Sequence, residues 1–278
     1  MLAHSETAYA KINLALHVRR RRDDGYHDLE TLFAFCGHGD GLSGELADGI
    51  NLTISGPFGE GLGVADNLVI RAAELMQEQF GISQGAALRL DKQLPVASGI
   101  GGGSADAAAA ARLLNRIWNI GATKEDLQRI LAPLGADIPA CVRSRTVYGE
   151  GIGADLREVP GAEISARAVL LVNPLKPVAT GPVFKAWDGN DRGRLDVSNP
   201  WQAALNGRND LQPAAIAICP EIAGVLKLLR QTGADLVRMS GSGATCFGLF
   251  ASGNARDAAQ DHINKACPEY WTMASCLR

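Results

Sequence analysis

The chain has 278 residues, with 27 Lys and Arg against 30 Asp and Glu, a formal charge of −3 and a pI near 6.0. That balance leaves no basic footprint for nucleic acid, although Arg19 to Arg22 form one local cluster. Hydrophobic residues make up 46%, enough for a globular core in one large domain or two intimate halves, and no uninterrupted apolar run reaches the length of a membrane span.

Residues 8–18 alternate, with Ile12, Leu14, Leu16 and Val18 on one face and Lys11 and Asn13 on the other. The pattern predicts a half-buried strand presenting two polar groups on one side, where a lone Lys reads as a solvated residue. From Asp66 on, Val69, Ala72, Ala73, Met76 and Phe80 trace an amphipathic helix ended by Gly81. Residues 86–91 read as a strand. It leads into Pro95-Val96-Ala97-Ser98-Gly99-Ile100-Gly101-Gly102-Gly103-Ser104 and then an alanine-rich helix over 105–114. Thr123 begins another helix, with Glu125 and Asp126 in its first turn, that reaches Leu134 and stops at Gly135, just before Asp137.

Residues 168–172 read as a buried strand, and 188–209, rich in Gly, Asn, Asp and Arg, as a long connection. Then come a helix over 221–231, a strand over 236–239, a second glycine-rich turn, a strand over 245–250, a helix over 254–265 and a last strand over 270–276. This αββαβ order predicts an α+β half with helices stacked on an antiparallel sheet. The six cysteines show no Cys-x-x-Cys spacing, so neither a zinc site nor a disulfide framework is expected. Residues 1–7 lack the apolar core of a secretion signal, and a cytoplasmic location is expected.

The segment 95–104 carries the most chemistry. Glycine lets a ligand approach the main chain with no Cβ in the way, and a helix start adds unpaired N–H groups and the positive end of its dipole. Together they predict a cradle for a nucleotide phosphate; a turn that merely caps a helix needs one glycine or serine, not this density. No Gly-Lys dipeptide occurs, which excludes a Walker A loop. The dinucleotide fingerprint fails at Ser104, and no acidic strand end follows about 20 residues on. Neither His-Arg-Asp nor Asp-Phe-Gly of the protein kinases is present.

What remains, Pro-x-x-x-Gly-hydrophobic-Gly-Gly-Gly-Ser before a helix, resembles the phosphate loop of the GHMP family of small-molecule kinases. Three further segments occur in that family's order: Ala10-Lys11-Ile12-Asn13-Leu14, Gly135-Ala136-Asp137-Ile138-Pro139 and Ser240-Gly241-Ser242-Gly243-Ala244-Thr245. The resemblance implies a two-lobed α+β GHMP kinase fold, with an N-terminal lobe over 1–165 like ribosomal protein S5 domain 2 and an α/β-plait-like C-terminal lobe over 166–278. It implies phosphoryl transfer from ATP to a small alcohol, with residues 95–104 on the phosphates and Asn67 and Lys92 on the adenine side. Mg²⁺ would be held mainly by the nucleotide, since the family's occasional acidic ligand is not evident. Lys11 and Asp137 would be catalytic, the Lys keeping the Asp ionised so that it accepts or orients the hydroxyl proton. Asn13 would hold the substrate. Read alone, Asn67 is a cap, Lys92 a surface residue, Ser104 equally a helix cap, and Ser240 to Thr245 a tight strand connection.

Asp23-Asp24-Gly25-Tyr26-His27-Asp28-Leu29 and Thr180-Gly181-Pro182-Val183-Phe184-Lys185 resemble segments of one branch, whose substrate carries a cytidine diphosphate group. The resemblance implies that Tyr26 and His27 contact the cytosine and that Phe184 closes the ring's other face, a sandwich plus a group reading the base edge. Thr180, Ser242 and Gly243 would belong to the same substrate side. A kinase for another alcohol, such as homoserine or mevalonate, and a nucleotide binder without turnover stay open, as does a monomer or a weak homodimer.

Overall fold

The computed structural model describes residues 4–160 and 163–278; residues 1–3 of the segment read for a secretion signal, and 161–162 beside the expected lobe boundary, lie outside the described residues. In chain order come strands β1 (His4–Arg21), β2 (His27–Ala47) and β3 (Ile50–Ser55), helix α1 (Leu68–Phe80), β4 (Gly85–Asp91), α2 (Gly102–Ile117), and α3 (Lys124–Leu131) continued by a 3₁₀ turn (Ala132–Leu134). They are followed by α4 (Ile138–Arg143), β5 (Val147–Glu150), β6 (Asp155–Glu158), β7 (Ala168–Asn173), α5 (Thr180–Lys185), α6 (Pro200–Asn206) and α7 (Gln212–Ile218). The chain ends with α8 (Glu221–Gln231), β8 (Leu236–Met239), β9 (Cys246–Phe250), α9 (Gly253–Ala266) and β10 (Trp271–Cys276).

These elements pack into two units that interleave along the chain. The first takes the described residues up to Ala10, His38–Val96 and Gly101–Ser144; the second takes Lys11–Gly37, Ala97–Ile100 and Arg145–Arg278.

In the first unit, β3 runs parallel to β4, and β4 pairs antiparallel with the end of β2, Gly41 opposite Asp91. Helix α2 packs against α1 and α4, and α3 against α4. The reason is in the sequence: Ala105 and Ala107 to Ala111 are buried together with Leu113 and Leu114, and such small side chains let neighbouring helices approach closely. Helix starts are set locally. Asn67 Oδ1 accepts from Val69 N at 2.9 Å to cap α1, and Thr123 and Asp126 form a reciprocal capping box on α3.

The second unit holds a four-stranded antiparallel sheet in the order β10-β7-β9-β8. Strand β7 is buried along its whole length, as expected of an apolar run without alternation. Helices α8 and α9 cover the sheet, and Val225, Leu226, Leu229 and Ile263 join Leu170, Val172 and Phe250 in one core; each large apolar side chain so buried contributes about 1.5–3 kcal/mol. The first part of β2 pairs with β5, and β5 with β6. The αββαβ order over 221–276 is therefore observed, element by element.

Two expectations are corrected. The connection over 188–209 contains α6, whose start is signalled by Asn199, which accepts from Gln202 N at 2.9 Å, and by Pro200 at the first helical position. Strand β1 is not half-buried. From Ala10 to Val18 both of its faces are covered, Lys11 and Asn13 included.

Candidate active site

In the second unit the heart of the glycine loop lies against the second glycine-rich turn. Ser240 Oγ donates to Gly99 O at 2.9 Å, Thr245 N to Ser98 O at 3.1 Å and Lys11 N to Ile100 O at 2.9 Å. Gly99 has φ +78°, and a Cβ there would stand 2.5 Å from Ser240 O and 2.7 Å from Gly243 O. A Cβ on Gly241 would in turn stand 2.8 Å from Gly99 O. The turns are glycine where they touch because nothing larger fits and the backbone is left-handed. The turn Ser240 to Thr245 thus joins β8 to β9 and also braces residues 98–100.

Lys11 and Asn13 form a buried polar row on the same unit. Lys11 Nζ donates to Asn13 Oδ1 at 3.0 Å and lies 5.3 Å from the centre of the Phe33 ring, a distance at which the ring quadrupole attracts the cation. Asn13 Nδ2 donates to Thr31 Oγ1 at 2.8 Å, and Asn13 N to Ser240 Oγ at 3.2 Å. A lysine only 3% exposed is not the solvated strand residue that its sequence context suggests; burying a charge costs several kcal/mol unless it is paired.

The same unit gathers the aromatic residues. His27 is buried and opens β2; its ring centre lies 5.0 Å from that of Phe184, tilted by 42°, and 5.8 Å from that of Trp187, edge on. Rings so close leave no room for a further flat ring between them. Arg21 Nε donates to His27 Nε2 at 3.4 Å, which puts the imidazole proton on Nδ1. Burial, and then the Arg21 charge, hold its pKa below the ordinary 6.5, so the ring is neutral at pH 7. Tyr26 is 60% exposed and offers an open aromatic face. Thr180 Oγ1 and Ser242 Oγ are 3.0 Å apart, and Gly243 has φ +88°. Trp187 had no signal in the sequence beyond its proximity to Phe184.

The first unit holds the rest. Gly101 is the N-cap of α2, with φ +66° and no side-chain cap, so Gly102, Gly103 and Ser104 are the first three helical residues. Ser104 is therefore not the cap, and the helix begins before the serine. An α-helix leaves its first N–H groups unpaired, and here they point out of a glycine-lined turn. Pro95 is buried, whereas Val96 and Ala97 are exposed. Asp137 sits at the N-cap of α4, but its side chain makes no cap bond, and Pro139 follows in the first turn.

Lys92 is corrected from a surface residue to one of the most buried cations of the chain. Its Nζ donates to Asp40 and, at 2.6 Å, to Asp106, all three residues being at most 4% exposed. Asp40 Oδ1 also accepts from Gln93 N at 2.6 Å and Leu94 N at 2.8 Å. Burial pushes the Asp106 carboxyl up to about 7, the Lys92 charge opposing that and the Asp40 charge adding to it. For Lys92, burial acts downward and is outweighed by the two carboxylates, which leaves the ammonium above its ordinary range. Asp40 carries no sequence signal of this kind, since its partners lie more than fifty residues away.

Two family models match the chain, that of the GHMP kinases N terminal domain over residues 67–145 and that of the GHMP kinases C terminal over 201–269. The 4-diphosphocytidyl-2-C-methyl-D-erythritol kinase of Sphingopyxis alaskensis is 53% identical over 277 residues, 98% of each chain. The enzyme of that name from Rhizorhabdus wittichii is 51% identical over 278 residues, 99% of this chain and 94% of its own. The crystal structure of a 4-(cytidine 5'-diphospho)-2C-methyl-D-erythritol kinase has a TM-score of 0.82 at 32% identity, covering 99% of both chains. A homoserine kinase from Cytophaga hutchinsonii, with a TM-score of 0.69 at 18% identity, shares the fold.

Proposed function

The chain belongs to the GHMP kinase family, and on that premise we propose that it transfers the γ-phosphoryl group of ATP to the 2-hydroxyl of 4-diphosphocytidyl-2-C-methyl-D-erythritol. The products are ADP and the 2-phosphate, and the step belongs to the non-mevalonate route to isoprenoid precursors. The observation that carries this reading is identity of 53% and 51% over nearly the whole chain to kinases of that name. Homoserine and mevalonate kinases share only the fold, at 18% identity and below.

The roles follow from the chemistry. A loose phosphoryl-transfer transition state asks for positioning and charge stabilisation more than for covalent help. The glycine loop, Pro95 to Ser104, holds the phosphates by backbone N–H groups, with Ser104 Oγ on a phosphate oxygen. Mg²⁺ would come in as a companion of the nucleotide phosphates. When bound, it neutralises phosphate charge. Lys11 supplies positive charge for the transferring phosphoryl group, and Asn13 orients the acceptor. Asp137 accepts or orients the proton of the 2-hydroxyl as the new O–P bond forms and the bond from the γ-phosphorus to the bridging oxygen breaks. Tyr26 and Phe184 stack on the cytosine, His27 reads its edge, and Thr180, Ser242 and Gly243 line the same side. The adenine lies on the side of the first unit that carries Asn67 and Lys92. We read the enzyme as two lobes, 1–165 and 166–278, working as a cytoplasmic monomer or weak homodimer.

ADP release with ATP, Mg²⁺ and each of three alcohols tests the substrate. Turnover with the cytidyl substrate should exceed that with homoserine or mevalonate by about 10²-fold or more, since a site built for a flat polar base rejects a substrate lacking it. Comparable rates with all three, or release only with another alcohol, would contradict the proposal.

A further inference from the structure

The buried ion cluster of Asp40, Lys92 and Asp106 lies at both ends of the glycine loop. Lys92 is the first residue after β4, on the stem that enters the loop, and Asp106 is on α2, the helix that leaves it. Asp40 is on β2 and grips the entering stem three times, through Lys92 Nζ, Gln93 N and Leu94 N. The Lys92 backbone is also fixed, its N–H donating to Ser55 O at 2.8 Å and its carbonyl accepting from Phe58 N at 3.1 Å. The ammonium rests against the first helical residue, since a Cβ on Gly102 would stand 3.2 Å from Nζ. A cation at the positive end of a helix is unfavourable there, and it stays because two carboxylates hold it.

Stability alone does not account for this arrangement. A buried ionic cluster is often no more stabilising than apolar side chains of the same volume, whereas its directional bonds fix one geometry. One carboxylate would balance the lysine, and this cluster has two, on different elements. Asp106 Oδ1, buried, accepts from no group. That is a cost, and one the fold carries where the loop meets its helix.

We propose that Asp40 and Asp106 are positioning residues for the nucleotide: acting through Lys92, they lock the stem that enters the glycine loop to the N-terminal part of α2, and so set the affinity for ATP. The inference rests on the phosphate-loop reading above. Neither carboxylate touches the reacting atoms. Their effect falls on ATP and leaves the cytidyl substrate alone.

The test is direct ATP binding by titration calorimetry, with KM for both substrates, in the wild type and in Asp106→Ala, Asp106→Asn and Asp40→Asn. Thermal melting checks that each variant is folded. Asp106→Ala cuts the tie to α2 and should weaken ATP binding about tenfold, the effect of losing about one charge-assisted hydrogen bond. Its KM for the cytidyl substrate should stay within about twofold of wild type. Asp106→Asn keeps an oxygen for the ammonium and should restore ATP affinity to within about twofold. Asp40→Asn turns a donor toward the ammonium and should show the same selective loss, so that it decides the matter should Asp106→Ala fail to fold. Unchanged ATP affinity in Asp106→Ala and Asp40→Asn, equal weakening of both substrates, or no rescue by Asp106→Asn would overturn the inference while leaving the kinase reading intact. A folded wild type that binds no ATP would overturn both.

Discussion

In the proposed mechanism a single carboxylate, that of Asp137, separates a kinase from a nucleotide binder. Asp137 stands at the start of α4 without capping it, so its removal is expected to cost chemistry while leaving that helix start in place. Asp137→Ala is expected to lower kcat about 10²–10⁴-fold, the usual contribution of a positioned acid or base, with an unchanged melting temperature; a near-wild-type kcat would remove its assigned role. Phe184 borders the His27 ring, and Phe184→Ala should raise KM for the cytidyl substrate more than KM for ATP, a split read directly from steady-state kinetics. Asp106 adds a pH effect on stability. Its carboxyl titrates at about 7 when folded and at an ordinary 3.8 when unfolded, so the folded state holds a proton that the unfolded state has released. The stabilisation is complete below the lower value and lost as pH rises through the upper one. Urea midpoints of the wild type should therefore fall relative to those of Asp106→Asn between about pH 5 and about pH 8; parallel curves would contradict the shift. Most of these residues were legible because short motifs name them. Lys92 taken alone read as a surface residue, and Asp40 was missed, because an ion cluster joining residues 40, 92 and 106 leaves no trace in local patterning.

Elements were legible where one periodicity ran without interruption, as in α1, α8 and β7. Strand β2 was not, although it runs for 21 residues. Its glycines resemble turn residues, yet a Cβ on Gly39 would lie 1.9 Å from Ala8 O: the strand is glycine there because another backbone passes close by, a tertiary fact invisible in the sequence. Helix α6 was hidden for the opposite reason, its Asn-Pro start lying among Gly, Asp and Arg that read as loop. The two glycine-rich turns make the most specific claim at this scale. Gly99→Ala must move Ser240 and Gly243 and take up a left-handed backbone, at a cost of about 1–3 kcal/mol. A urea midpoint lowered accordingly, together with weakened ATP binding, is expected; wild-type behaviour in both would show that residues 98–100 do not need the second turn.

At the scale of the whole molecule, the order of the motifs carried more than any one of them. Lys11 and Asn13 lie near one end of the sequence, and the turn that braces the glycine loop comes 141 residues after Gly99; only folding brings Asn13, Gly99 and Ser240 into one hydrogen-bonded group. Family models on both halves of the chain and relatives aligned over nearly all of it assign the whole sequence to one kind of kinase. The interleaving of the two packed units was not legible, because a strand such as β2 serves both and no linker marks the exchange. The central claim is a phosphoryl transfer to a defined hydroxyl, and ³¹P NMR of a reaction containing ATP, Mg²⁺ and 4-diphosphocytidyl-2-C-methyl-D-erythritol observes it directly. The γ-phosphate resonance of ATP should disappear as ADP and a new phosphomonoester, coupled to the carbon that bears the 2-hydroxyl, grow in together. Orthophosphate in place of the monoester, or an unchanged ATP spectrum with folded protein, would contradict the account.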